Sequence, residues 1–148
     1  MPRNSAKAIV LHEGRILVNR CVSRFGTYYA LPGGGQKNGE TLTEAVQREL
    51  LEEAGLSVRP MRLSAIYETI SNNRPEGLNH KLFFVFLCAL NDVRPVKPSN
   101  QDTYQTGTEW IPLSEIKKIH LFPRAVRDNI MELIGYGETI YLGSEKKN

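Results

Sequence analysis

The chain of 148 residues has only two cysteines, Cys21 and Cys88, and no C-x-x-C pair. This scarcity excludes a disulfide framework and gives no support for a zinc site, so we expect both thiols to be reduced in a cytoplasmic protein. No stretch approaches eighteen consecutive apolar residues, and the first residues lack the apolar core of a signal peptide. The sequence therefore predicts neither a membrane span nor a secretory leader.

An excess of charge of one sign is also missing. The chain carries 19 Lys and Arg against 16 Asp and Glu, a formal net charge of +3. Such a small excess suits a phosphorylated small molecule, and ordinary surface lysines explain it equally well. It is too weak to indicate a nucleic-acid surface. With 41% hydrophobic residues, we expect one domain over residues 1–148, with a mobile tail from about residue 143 to residue 148.

One stretch, from Gly34 to Leu56, contains both ends of a helix. Thr41 is a good N-cap residue and Glu44 follows three positions later, which is the capping-box pattern. Gly55 stands where a helix commonly ends in a left-handed residue. The pattern predicts a helix over residues 42–54.

Three acids lie close together on this predicted helix. On a helical wheel Glu49, Glu52 and Glu53 occupy one edge of the apolar face, and Glu53 points partly toward the core. An unpaired buried charge is costly, the three acids repel one another, and one arginine cannot neutralise them. A divalent cation removes both problems, and hard oxygen ligands favour Mg²⁺ or Mn²⁺. The common alternative for a bare E-x-x-E-E pattern is a solvated acidic face.

The wider spacing decides between these interpretations. Gly34, Glu40 and the run from Arg48 to Leu56 match every fixed position of the Nudix box, G-x5-E-x7-R-E-U-x-E-E-x-G-U, in which U is aliphatic. The chain thus resembles the Nudix hydrolase family. The resemblance implies an α/β/α sandwich with a mixed β-sheet between helices, in which the box helix faces a cleft.

The resemblance also implies a reaction: hydrolysis of a nucleoside diphosphate linked to another group, by attack of water on phosphorus with Mg²⁺ or Mn²⁺ bound. It makes Glu49, Glu52, Glu53 and the carbonyl of Gly33 metal ligands, while Arg48 orients a glutamate. Glu40 is either a partner of Arg48 or a ligand of an extra metal. We place the general base in the box, at Glu52 or Glu53, although relatives with a base outside it leave Asp102 and Glu109 as alternatives.

Substrate contacts are predicted upstream of the box, where a structural role is equally open for each residue. Arg20 and Arg24 could reach phosphates, and Tyr28 or Tyr29 could stack on a base. The expected substrate is a small nucleotide or a nucleotide sugar. The sequence leaves the substrate itself open, and it also leaves open a homodimer.

The remaining secondary structure follows from hydrophobic periodicity. We predict a hairpin of strands 6–11 and 15–19, a loop over 20–29, a strand over 61–70 with Leu63, Ala65 and Tyr67 on one face, and a loop over 71–79. We further predict a buried central strand over 80–90, a loop over 91–108, a strand over 109–111, a helical turn over 113–118, a helix from Pro123 to about Ile134 with a buried stripe that includes Phe122, and an edge strand over 139–142.

Three other functions remain open. The chain could be a Nudix domain that binds a nucleotide and regulates without turnover, although a pure binder has no need of the complete set of box glutamates. It could also be a 5′-end RNA pyrophosphohydrolase, which would require a more basic groove than +3 indicates. An isomerase on the same scaffold is the third.

Overall fold

The computed structural model describes residues 1–73, 75–92, 95–98 and 104–147. In these residues nine strands form one sheet: β1 (Arg3–His12), β2 (Arg15–Ser23), β3 (Gly26–Ala30), β4 (Gly33–Gly35), β5 (Val58–Asn73), β6 (Gly77–Leu90), β7 (Gln105–Pro112), β8 (Leu121–Phe122) and β9 (Ile140–Lys147). The helices are α1 (Leu42–Ala54), α2 (Arg124–Asp128) and α3 (Ile130–Gly135), with a 3-10 helix over Leu113–Lys118.

The sheet is mixed, and its order is β8-β3-β2-β1-β6-β5-β9, with β4 paired to β1 and β7 paired to β2. The first hairpin and the central strand are confirmed. β1 turns into β2 through Glu13 and Gly14, and β6 lies between β1 and β5, parallel to the first and antiparallel to the second. A central position requires apolar residues on both faces, which β6 provides.

Helices cover both faces of this sheet, as predicted. On one face α1 packs against strand residues such as Val10, Leu17 and Phe86. On the other face the 3-10 helix, α2 and α3 pack against residues such as Ile9 and Val85. The molecule is therefore an α/β/α sandwich, and a loop over residues 36–41 connects β4 to α1.

Strands extend into three segments that we predicted as loops. β2 and β3 form a tight hairpin through residues 20–29, with Ser23 opposite Gly26. β5 and β6 take up most of 71–79, and β7 begins at Gln105. Their polar residues remain extended because the neighbouring strand satisfies their backbone hydrogen bonds, which local composition does not reveal.

Irregularities correct two further predictions. A bulge between Leu63 and Ala65 places the first residue in the core beside α1 and the second in the core of the opposite face. The late helix is interrupted at Asn129, whose backbone has φ −118° and ψ 19°. Its side chain donates to the Ala125 carbonyl, an example of an asparagine that competes with the helical ladder. Phe122, predicted to be buried, is 43% exposed.

The C-terminal segment, predicted to be a mobile tail from about residue 143, is a strand up to Lys147; its mobility stays a prediction. β9 pairs in parallel with β5 and continues the edge strand predicted over 139–142. The Tyr67 hydroxyl donates to Glu145 over 2.7 Å, which fixes the charged end to the sheet. Both cysteines are free and buried. Among the described helices, none has the length and apolar character that crossing a bilayer requires.

Candidate functional site

Helix α1 presents the acidic residues from a firmly capped scaffold. The Thr41 side chain accepts from the Glu44 backbone N–H, and the Glu44 carboxylate accepts from the Thr41 N–H. Gly55 ends the helix with φ 69°. The predicted helix over 42–54 is confirmed, because both of its end signals are local.

Glu53 is the buried acid of the site, with 7% of its surface exposed. Its Oε1 accepts a hydrogen bond of 2.7 Å from the backbone N–H of Gly33. Burial raises the pKa of Glu53 to about 7. This happens although the Gly33 N–H, the Lys7 ammonium and the Asn19 amide favour the charged form and lower the pKa. A carboxylate that titrates near neutrality, next to a glycine-rich strand, is typical of functional sites.

The raised pKa of Glu53 predicts a pH-dependent stability in the presence of EDTA. The folded protein binds this proton more tightly than the unfolded chain, so its stabilising effect is full at low pH and is lost as the pH rises through about 7. We expect the free energy of unfolding of the wild type, relative to that of Glu53→Gln, to fall by about 3 kcal/mol between pH 4.5 and pH 8. Urea denaturation across this range measures it, and parallel curves would contradict it.

Arg48 connects the remaining acids. Its guanidinium donates to both oxygens of Glu40 over 2.7 and 3.0 Å, to Glu49 over 2.9 Å and to Glu52 over 3.2 Å. It also donates to the Gly35 carbonyl over 3.0 Å. The Arg48 hydrogen bonds hold the pKa of Glu40 down at about 2. In this arrangement Glu40 is a partner of Arg48, one of the two roles that the sequence left open.

Gly34 gives the Glu49 carboxylate room. A Cβ at Gly34 would lie 2.7 Å from the Glu49 carboxylate carbon, closer than real contacts allow. The two residues therefore meet only because position 34 has no side chain.

Gly34→Ala should consequently disturb the site more than the fold. The clashing atoms belong to the end of a flexible side chain, so we expect Glu49 to move away at little cost in stability. Displacement of a positioned group by about 1 Å can cost about 100-fold in rate. We expect the turnover number to fall about 10-fold to 100-fold while the melting temperature changes little. Equal loss in both measurements would contradict this prediction.

The donor chemistry of the site fits a hard divalent cation. Glu49 and Glu52 accept hydrogen bonds from the same Arg48 nitrogen. Glu53 and Glu49 both lie against the segment Gly33–Gly34. The atoms that these side chains offer to a metal are all oxygens. Within the described residues, however, no three acidic, histidine or cysteine side chains converge closely enough to coordinate one ion. The arrangement is that of an ion-pair network, in which Arg48 supplies the positive charge.

A cleft of about 820 Å³ borders this network, and Gly33–Gly35 forms the wall that they share. Its other walls come from the start of β1, the loop before α1 and the side chains of Lys81, Phe83 and Phe122. The Lys7 ammonium donates to the Gly33 carbonyl over 3.3 Å. The Gly33 carbonyl, which was predicted to be a metal ligand, therefore contacts a lysine. The next residue, Gly34, lies against the Glu49 carboxylate.

Two polar residues that the sequence analysis did not identify support Glu53 from the sheet. Asn19 is 4% exposed and its side chain hydrogen-bonds the Glu53 carboxylate. Gln105 is 8% exposed, and its amide donates to the Asn19 side chain and to the Glu53 carbonyl, each over 3.3 Å. A polar Asn19 after the apolar run 16–18 is the only local signal of this contact, since Gln105 reaches it through the pairing of β7 with β2.

The predicted substrate residues lie elsewhere. Arg20 donates to the Glu109 carboxylate over 2.8 Å. Burial raises the pKa of Tyr29, and its hydrogen bond to the same carboxylate raises this pKa further. Arg24 lies over the Phe25 ring in the β2–β3 hairpin. Neither these residues nor Tyr28 line the cleft described above, so their role in substrate binding stays a prediction. Glu109 is held by Arg20, and Asp102 lies outside the described residues.

Comparisons with known proteins agree on one family. The model of the NUDIX domain matches residues 1–131. Phosphatase NudJ from Shigella boydii serotype 4 is 28% identical over 117 residues, which cover 79% of this chain and 72% of that protein.

Two solved structures show the same fold. A NUDIX hydrolase from Nitrosomonas europaea superposes with a TM-score of 0.68 at 25% identity, covering 90% of this chain and 86% of that one. An ADP-ribose pyrophosphatase from Streptococcus suis gives a TM-score of 0.66 at 20% identity, covering 95% of this chain and 99% of that one. At that identity the second similarity concerns the fold alone.

Proposed function

Because this chain belongs to the Nudix family of hydrolases, we propose that it cleaves the pyrophosphate bond of a nucleoside diphosphate linked to another group, with Mg²⁺ or Mn²⁺ as the cofactor. The name of a similar protein, phosphatase NudJ, supports a phosphate-containing substrate. The complete set of box residues supports catalysis over binding alone.

The observation that carries this proposal is the buried Glu53 carboxylate beside a cleft. It accepts a hydrogen bond of 2.7 Å from the Gly33 N–H, and Gly33 lines that cleft. Burial of a carboxylate is costly, so a buried acid with a strongly raised pKa beside a cleft is more typical of a functional site than of a purely structural role. Here burial keeps the acid partly protonated near pH 7. Such a group accepts either a metal ion or a proton from water.

The cation would be held by Glu49, Glu52, Glu53 and the Gly33 carbonyl. Glu40 is bonded to Arg48 instead. A bound Mg²⁺ or Mn²⁺ neutralises phosphate oxygens and makes water a better nucleophile. Arg48 holds Glu49 and Glu52 close together, and Glu40 fixes the Arg48 guanidinium through two hydrogen bonds. Glu53, or Glu52 beside it, takes the proton from water.

A substrate panel tests the proposal. Purified protein is incubated with ADP-ribose, UDP-glucose, ATP and NADH, in Mg²⁺, in Mn²⁺ and in EDTA, and the products are separated by chromatography. We expect cleavage between the phosphates of at least one compound, dependent on the metal. Tight nucleotide binding without turnover would instead favour a regulatory domain, and metal-independent cleavage would contradict the proposed chemistry.

A further inference from the structure

Three polar side chains, those of Asn19, Glu53 and Gln105, are buried together between the sheet and α1. Leu17 stands two positions before Asn19, on the same face of β2, and belongs to the apolar core beside α1. Burial of polar groups among apolar ones gains little net stability even when their hydrogen bonds are made, and it is costly when one bond is missing. Packing alone is therefore a poor explanation for this cluster.

A β-bulge directs Gln105 toward the cluster. The register between β2 and β7 shifts after Arg20, which brings Gln105 opposite Cys21. Residues that are opposite each other carry their side chains on the same face, so Gln105 shares the face of Cys21 and Asn19. In an unbroken ladder Gln105 would lie opposite Val22 and point to the other face. Bulges that redirect a side chain in this way are common next to active sites.

The hydrogen bonds of the Gln105 amide fix its orientation. Its Nε2 donates to the backbone carbonyls of Glu53 over 3.3 Å and of Gly107 over 3.5 Å, and these oxygens can only accept. The same nitrogen donates to Oδ1 of Asn19 over 3.3 Å. Because the oxygen of the Asn19 amide faces Gln105, its nitrogen is left to donate to the Glu53 carboxylate. Gln105 thus determines which way the Asn19 amide points.

Two donors from different strands then hold the Glu53 carboxylate. One is the Gly33 N–H on β4, 2.7 Å from Oε1, and the other is the Asn19 amide on β2. A carboxylate with one hydrogen bond can still rotate, whereas two donors define the direction of its remaining lone pairs. This direction matters for a group that binds a cation or takes a proton, because a displacement of about 1 Å can cost about 100-fold in rate.

From this arrangement we infer that Asn19 and Gln105 are positioning residues for the reaction. Gln105 orients the Asn19 amide, and Asn19 holds the Glu53 carboxylate in the direction that cation binding and proton transfer require. The inference rests on the proposed function for the role of Glu53. Residues that hold a metal ligand in this way typically contribute about 10-fold to 100-fold in metal affinity or activity. A purely structural cluster would contribute to stability alone.

Asn19→Leu tests the inference, because leucine has a similar size and can neither donate nor accept a hydrogen bond. We expect kcat to fall about 10-fold to 100-fold on a substrate that the wild type hydrolyses, with KM changed less than about twofold. Gln105→Met removes the donor that orients Asn19 and leaves every acidic side chain in place. It should lower kcat about tenfold.

Ser64→Ala is the matched control. Ser64 is also a buried polar residue, and its hydroxyl donates to the carbonyl of Leu133, which belongs to the core on the opposite face of the sheet. This variant loses a buried hydrogen bond far from the carboxylates, so it should lose stability and keep the wild-type kcat. If Asn19→Leu and Ser64→Ala had equal kcat values, the cluster around Asn19 would be structural and the inference would fail.

A double-mutant cycle separates positioning from a general effect on the fold. In the Glu53→Gln background the carboxylate that Asn19 orients is gone, so the addition of Asn19→Leu should lower kcat by less than about twofold further. A loss by the same factor in both backgrounds would overturn the inference, since Asn19 would then act independently of Glu53. Circular dichroism melting confirms that each variant is folded.

The affinity for Mn²⁺ separates this inference from the proposed function. It is measured by electron paramagnetic resonance without any substrate, so hydrolysis has no part in it. We expect Asn19→Leu and Gln105→Met each to weaken Mn²⁺ binding about tenfold or more relative to Ser64→Ala. Such a result supports the positioning role even if no substrate is hydrolysed. Affinities equal to that of Ser64→Ala refute it even if hydrolysis is observed.

Discussion

Glu53→Gln is expected to lower kcat by about 10²-fold to 10⁴-fold on any substrate that the wild type hydrolyses, the loss typical of a missing acid–base group. Glutamine has nearly the same shape, and its Oε1 can still accept from the Gly33 N–H, so the buried hydrogen bond of 2.7 Å survives. The negative charge does not survive. The variant should therefore fold normally and fail both to take a proton and to hold a divalent cation.

Two measurements accompany this prediction. Steady-state kinetics gives kcat, and electron paramagnetic resonance of added Mn²⁺ gives the affinity for the metal, which should fall in the same variant. Glu44→Gln is the control on the same helix, because glutamine also completes a capping box at that position. It should retain wild-type kinetics. If Glu53→Gln kept more than about a tenth of the activity, Glu53 would have no direct part in the chemistry.

The parts of this site that follow the chain locally were predictable from sequence. Thr41, Glu44 and Gly55 define α1 through hydrogen bonds that close within a few residues, and the helical period alone places Glu53 toward the core. The spacing from Gly34 to Leu56 then indicates which family this helix belongs to. The helical turn over residues 113–118 was predictable for the same reason, because its start is signalled locally by Pro112, and the structure has a 3-10 helix over Leu113–Lys118.

Features that depend on strand pairing were not predictable. Asn19 meets Gln105, 86 residues away, only because β2 pairs with β7. Arg20 forms an ion pair with Glu109 for the same reason, although its position before the box suggested a phosphate contact. Likewise, Arg3 and Lys81 become neighbours through the parallel pairing of β1 and β6. Periodicity shows which face a residue occupies on its own strand, but it gives no information about the residue opposite.

Gly33→Ala should cause the largest loss of stability among single substitutions at the site. Gly33 has φ +135°, which side chains rarely adopt, and a Cβ there would lie 2.1 Å from the Ala6 carbonyl oxygen. That oxygen belongs to the backbone of a central strand and cannot rotate away. Backbone strain and overpacking each cost about 1–3 kcal/mol. We expect the free energy of unfolding to fall by about 3 kcal/mol or more, measured by urea denaturation.

The neighbouring glycines make this prediction specific. Gly35→Ala, on the same strand, meets no atom within 4 Å, so its stability should match that of the wild type. Gly34→Ala disturbs a side chain and should affect turnover alone. Gly33→Ala displaces the N–H that holds Glu53 and also separates β4 from β1, so stability and activity should be lost together. If all three variants unfolded alike, the segment would be a plain turn, and the close approach of β4 to the carboxylates would have no functional meaning.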